Sequence, residues 1–141
     1  MTKEIWLNLP VKDVLKSRAF YEQIGFTFNP NDDPNNHTMQ CMFVGQKNFV
    51  VMLFPEETLQ QFSRIDLNDT KKTSQFLISI DAESREEVEE LTAKAKAAGG
   101  LIYAEPTEIQ GWMYGSGFTD LDGHRWNTLF MDHNKTPKNN Q

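Results

Sequence analysis

Val14-Leu15-Lys16-Ser17-Arg18-Ala19-Phe20-Tyr21-Glu22-Gln23-Ile24-Gly25 returns in pattern at Val88-Glu89-Glu90-Leu91-Thr92-Ala93-Lys94-Ala95-Lys96-Ala97-Ala98-Gly99. In the first stretch Val14, Ser17, Tyr21 and Ile24 recur at i, i+3, i+7 and i+10, with Phe20 widening the stripe; in the second Val88, Leu91, Ala95 and Ala98 keep the same spacing. Every pair differs by 74, as do Gly25 and Gly99, which close the two stretches. The spacing predicts two amphipathic helices that are copies of one another. Asp13 stands where an N-cap belongs, and Ser84-Arg85-Glu86-Glu87 is a capping box opening the second helix.

The repeat extends outward. Ile5 to Val11, with Leu7, Leu9 and Val11 on one face, reads as a strand ahead of the first helix, and Gln75 to Ile80 as its counterpart. After the first helix, Phe26 to Phe28, His37 to Val44 and Phe49 to Phe54 read as strands; after the second, Ile102 to Glu108, Tyr114 to Thr119 and Arg125 to Met131. The strands ahead of the helices pair at an offset of 69 (Trp6 with Gln75), and the last strands at 76 (Leu53 with Leu129). Each half is thus strand, helix, three strands. We expect one α+β domain with a first module over 1–54, a weakly helical linker over 55–72, a second module over 73–132 and a disordered polar tail over 133–141. Asn29 to Asn36 is a turn-rich loop.

Composition narrows the function classes. The net charge of −6, with Lys and Arg scattered, provides no footprint for nucleic acid, and no segment approaches the length of a membrane span. One cysteine, Cys41, excludes an intramolecular disulfide and a cysteine-based zinc cluster, and with no secretory-type apolar run at Met1 to Trp6 it points to the cytoplasm. Cys41 sits among Met39, Met42 and Phe43, where it reads as a small core residue rather than a nucleophile. Gly115-Ser116-Gly117 lies inside a strand and opens no helix, so it marks a bulge or a close approach rather than a phosphate loop. His124 follows the Asp122-Gly123 turn and reads as a turn-packing residue; His37 and His133 lie in no metal-binding pattern.

Leu9-Pro10-Val11-Lys12-Asp13, then Ser17, Phe20-Tyr21 and Gly25-Phe26, and later Asp120-Leu121-Asp122-Gly123-His124 followed by Trp126, resemble the signature of the vicinal oxygen chelate superfamily, which unites glyoxalases, bleomycin resistance proteins and extradiol dioxygenases. The resemblance runs from about residue 4 to residue 132. It implies two βαβββ modules forming a cupped, open eight-stranded barrel, helices outside, with a ligand or metal inside. It also implies a homodimer. In metal-using members the ligands come from the first and last strand of each module; carried over, these positions are Trp6, Gln75, either Val51 or Met52, and Asn127. Divalent ions of this class need anionic oxygen or imidazole donors, so no metal and no other cofactor is expected.

Strand alternation adds Asn8 to Trp6, Leu77 to Gln75, and Arg125 and Leu129 to Asn127 on the inward faces. Apolar walls with a few amides and one cation are what a small-molecule pocket requires. The leading expectation is therefore metal-independent binding of a small organic molecule by Trp6, Asn8, Met52, Gln75, Tyr114, Arg125 and Asn127. The alternative is a lyase, isomerase or dioxygenase with an altered metal site or with acid-base catalysis by Tyr114, His124 or Arg125.

Overall fold

In the computed structural model, which describes residues 1–135, both caps form. The Asp13 carboxylate accepts from Lys16 N at 3.0 Å and starts α1 (Val14–Gln23). Ser84 Oγ accepts from Glu87 N at 3.1 Å and starts α3 (Arg85–Ala97). The two C-termini are also copies: Gly25 N bonds Glu22 O and Phe26 N bonds Tyr21 O, while Gly99 N bonds Lys96 O and Gly100 N bonds Ala95 O. Gly25 and Gly99 have φ of 105° and 104°, a conformation that glycine adopts without steric cost and that lets the chain leave each helix the same way.

Strands β1 (Leu7–Val11), β2 (Thr27–Phe28), β3 (Gln40–Val44) and β4 (Phe49–Pro55) form one sheet in the order β1-β4-β3-β2. Strands β5 (Ile78–Ala82), β6 (Ile102–Ile109), β7 (Met113–Thr119) and β8 (Arg125–Met131) form another in the order β5-β8-β7-β6. In each sheet the first and last strands are parallel and the other pairs antiparallel. The α+β fold with two βαβββ modules is thus present.

The chain divides into two compact units, the first Met1–Asp69 and the second starting at Thr70, a boundary within the stretch expected to link the modules. Much of that stretch is a helix, α2 (Glu56–Ser63), whose Phe62 ring meets Phe54 of β4 edge-on at 5.3 Å. It therefore belongs to the first unit. Three strand starts also move by two residues or more. Asn31 N and Asn35 N bond the side chains of Asn29 and Asp33 within the expected loop, and Thr38 N bonds that of Asn36, so the start expected for β3 closes a further turn instead. β5 begins at Ile78 rather than Gln75, because the first ladder pair is Ile78 with Trp126 and the chain before Arg125 is committed to a turn. β1 begins at Leu7 rather than Ile5, with Leu7 facing Val51 in the first pair. Residues 136–141 of the expected tail lie outside the described residues; Lys135 N bonds Asp132 O, extending a turn beyond β8.

Each helix covers one face of its own sheet. In the first unit Val14, Ser17, Phe20, Tyr21 and Ile24, the expected stripe, are buried with Leu9, Val11, Met42, Val51 and Leu53. Gln40, fully buried, accepts from Arg18 at 2.6 Å and donates to Asp33 O and Asn36 O, fastening the turn-rich loop to β3. In the second unit Thr92, not Leu91, is the buried companion of Val88 and Ala95. The Thr92 hydroxyl bonds Val88 O and Ser116 Oγ, each at 2.7 Å, which removes the cost of burying it. Trp126 and Phe118, both fully buried, stack at 6.2 Å in the same layer. Among the described residues no helix is long and apolar enough to cross a membrane.

Candidate functional site

The Asp120-Leu121-Asp122-Gly123-His124 segment sets where β8 begins. Asp120 is buried, and its Oδ1 accepts from Asp122 N and His124 N, both at 2.9 Å, while its backbone N bonds His124 O. Thr70 Oγ1 bonds Asp122 O at 2.5 Å. The aspartate thus spends its acceptor on the turn, and the turn delivers Arg125 as the first residue of a central strand. His124 is buried at this turn, as a packing role requires.

The helix contacts fix which way β8 and β7 face. Ser116 bonds Thr92 of α3, and Tyr114 donates to Glu89 Oε2 of α3 at 2.7 Å, so their ladder partners Thr128 and Phe130 share the α3 side. Alternation then turns Arg125, Asn127 and Leu129, with Gly115 and Gly117 of β7 and Ser79 of β5, to the opposite face. Here Arg125, Gln75, Phe76, Leu77, Ser74 and Tyr103 line a cleft of about 410 Å³.

Tyr103 was not expected. It lies in β6 where the register with β7 shifts between Ile102 and Ala104, and such an irregularity re-aims a side chain. Its ring crosses β7 over Gly117, where a Cβ would stand 2.3 Å from the ring, and its hydroxyl donates to Trp126 O at 2.8 Å. The Arg125 guanidinium lies over this ring at 4.4 Å. Burial pushes the Tyr103 hydroxyl pKa up, against the opposing pull of Arg125, so the phenol stays neutral and keeps its donor. The close approach at Gly115-Ser116-Gly117 was legible in the sequence; the aromatic that fills it was not, because an isolated Tyr in a strand carries no spacing signal.

Gln75 and Arg125 therefore meet in one cleft, and Asn127 lies on the same sheet face, one pleat along β8 from Arg125. Asn127 is half-buried and its Oδ1 is buried with no hydrogen-bond partner. Tyr114 does not join them. It points to α3, where Arg85 lies 4.8 Å over its ring and pairs with Glu108, and the bond to Glu89 is the main cause of its raised pKa. Its alternation with Gly115 places it on the wrong face of the sheet.

In the first unit Asn8, Met52 and Cys41 form one ladder row. Val51 is buried in the row of Leu7 and Met42 on the α1 side, so Met52, not Val51, is the member of the pair on the face away from the helix. Trp6 precedes β1 and is 54% exposed. Desolvation, and then the nearby Asp32 charge, raise the pKa of the Cys41 thiol, which holds it in the unreactive form.

Residues 3–43 match the model of the bleomycin resistance protein-like N-terminal family. A hypothetical protein from S. aureus is 37% identical over 92% of this chain and 94% of its own, with a TM-score of 0.80. A glyoxalase/bleomycin resistance protein/dioxygenase family enzyme from Burkholderia phytofirmans PsJN has the same fold, at 20% identity over 89% of this chain and 96% of its own, with a TM-score of 0.74. The chain belongs to the vicinal oxygen chelate superfamily. An antibiotic binding protein from a Streptomyces species shares this superfamily's fold with it at 15% identity over 93% of this chain and 97% of its own, TM-score 0.60. No curated protein matches the sequence.

The superfamily's metal positions do not fit a metal here. Trp6 offers a ring N–H and no lone pair, Met52 a soft thioether, and Gln75 and Asn127 neutral carbonyls, where a hard divalent ion needs carboxylate oxygen or imidazole nitrogen. Among the described residues no group of three or more His, Cys, Asp or Glu is placed to hold an ion.

Proposed function

We propose that this vicinal oxygen chelate protein binds a small organic molecule without the superfamily's usual metal. One observation carries the reading. Gln75, Arg125 and Asn127 stand on one face of the second unit's sheet, and none of the three side chains hydrogen-bonds another described residue. Leaving a buried polar atom unpaired costs about 1 to 3 kcal/mol, and Asn127 Oδ1 is such an atom, so a face that holds it beside apolar walls and the half-buried Arg125 suits a partner that satisfies it. Trp6, Asn8 and Met52 of the first unit belong to the same proposal, as does action in the cytoplasm as a homodimer. The antibiotic binding protein with this fold supports a binding role as one use of the scaffold.

The alternative, acid-base catalysis by Tyr114, His124 and Arg125, is disfavoured by their placement. Tyr114 is bonded to Glu89 on the α3 side and His124 is buried at the turn, so two of the three stand away from the cleft.

The test is a screen of small aromatic and alicyclic compounds by amide chemical-shift mapping, with and without EDTA. We expect perturbations at Gln75, Leu77, Tyr103, Arg125 and Asn127 that are indifferent to the chelator, and protein purified without added metal that contains none. Binding that disappears with EDTA, or stoichiometric Ni, Zn, Mn or Fe in the purified protein, refutes the metal-independent reading.

A further inference from the structure

The cleft has a polarity that the proposed binding role leaves open, and we infer that it selects planar organic monoanions, aromatic monocarboxylates above all, through an Arg125 fork held by Tyr103. This rests on the small-molecule reading of the same face. The central carbon of the Arg125 guanidinium lies over the Tyr103 ring at 4.4 Å, and no described residue accepts from its N–H groups or pairs with its charge. Those donors match a carboxylate edge in two parallel bonds. Arg125 is the only cation among the residues lining this cleft, which would leave a phosphate dianion half-neutralised, whereas a carboxylate is matched one to one. The chain's net charge of −6 adds no general attraction for anions, so the discrimination must be local.

The body of the ligand is set by the walls. Phe76 and Leu77, 52% and 50% exposed, stand with the Tyr103 ring around a cleft of about 410 Å³. That is toward the lower end of the roughly 300–1,000 Å³ of small-molecule sites, and suits one or two fused rings. Tyr103 is a positioning residue. The missing side chain at Gly117 lets its ring lie across β7, and the bond to Trp126 O pins it there. A guanidinium stacked on a fixed ring loses less freedom when it binds than one waving in solvent.

The experiment compares matched pairs, benzoate with benzamide and 2-naphthoate with 2-naphthamide, by amide-shift titration of the intact protein. We expect each acid to bind at least about tenfold more tightly than its amide, the scale of a charge-assisted bond. Arg125→Gln should erase that ratio, and Arg125→Lys should restore only part of it. Tyr103→Leu, which also removes part of the wall, should weaken acid and amide alike through that wall and the acid about threefold more, so the acid-to-amide ratio falls by about the scale of an exposed cation–π contact. A purely structural Tyr103 would move both in proportion and leave the ratio as it was, and a native-like amide spectrum shows that the variant folds. Equal binding of acid and amide at this cleft overturns the anion inference and leaves the small-molecule role standing. No binding of either acid up to about 10 mM, beyond the weakest useful affinity, also overturns it. In that case binding of neutral compounds in the wider screen decides whether the role itself survives.

Discussion

Across the middle of the first sheet, on the face away from α1, runs the row Asn8, Met52, Cys41; across the second, away from α3, runs Ser79, Asn127, Gly117. The strands that carry them have the same order and the same parallel and antiparallel pairings. One row is an amide, a thioether and a thiol, the other a hydroxyl, an amide and a hydrogen atom. The loss of a side chain at Gly117 admits Tyr103, and Tyr103 carries Arg125. The two halves thus share the topology and a buried helix-facing layer, though with different residues in it, while the opposite faces differ in chemistry.

If that division holds, the largest effect should come from the helix-facing layer. Trp126→Ala removes a fully buried ring that stacks on Phe118, and should destabilise by about 3 to 5 kcal/mol in urea unfolding. A loss below about 1.5 kcal/mol would mean that this layer is not what holds the second unit together.

Gly117→Ala probes the divergent face at the point where it differs most from Cys41. The new methyl meets the far end of the Tyr103 ring, a flexible group, so the ring should swing out rather than the strand break. The expected cost is about 1 to 2 kcal/mol, the Trp126 O bond plus lost ring packing. Tyr103 resonances should broaden or shift while those of Phe118 and Trp126 stay. If Tyr103 keeps its environment, the gap over Gly117 is not what seats it.

Much of this was legible in the sequence because it obeys a period. The helix stripes, both caps, the glycine stops and the common face of Arg125, Asn127 and Leu129 all follow from spacing of 3.6 or 2. The Met52 and Val51 ambiguity was not resolvable that way, since one residue of slip exchanges the faces and only the ladder with Asn8 fixes it. Tyr114 was misplaced for a related reason. Its membership of the site came from residue type and not from register, and its ladder partner Phe130 lies on the α3 side. The i, i+3 spacing selects Leu91 and leaves out Thr92, although a hydroxyl that returns to the helix carbonyl four residues back can be buried. Tyr103 depends on a register shift, which has no composition signal.

The smallest expected effect is at Asn127, one residue from the largest. Asn127→Leu keeps the number and branching of the side-chain heavy atoms, though its methyl groups are bulkier, and replaces an amide whose Oδ1 is buried without a partner. Removing an unsatisfied polar group while keeping its shape is close to neutral or stabilising, so the melting temperature should hold or rise, with a change in stability within about 0.5 kcal/mol. The same variant should weaken any ligand that satisfies the amide. Stability and binding would then separate at one residue, as expected of a group kept for a partner and not for the fold. A loss of more than about 1.5 kcal/mol would show that the Asn127 amide is engaged in the folded protein. The face would then be packed for stability like the one beneath α3, and the contrast between the two faces would fail at its central residue.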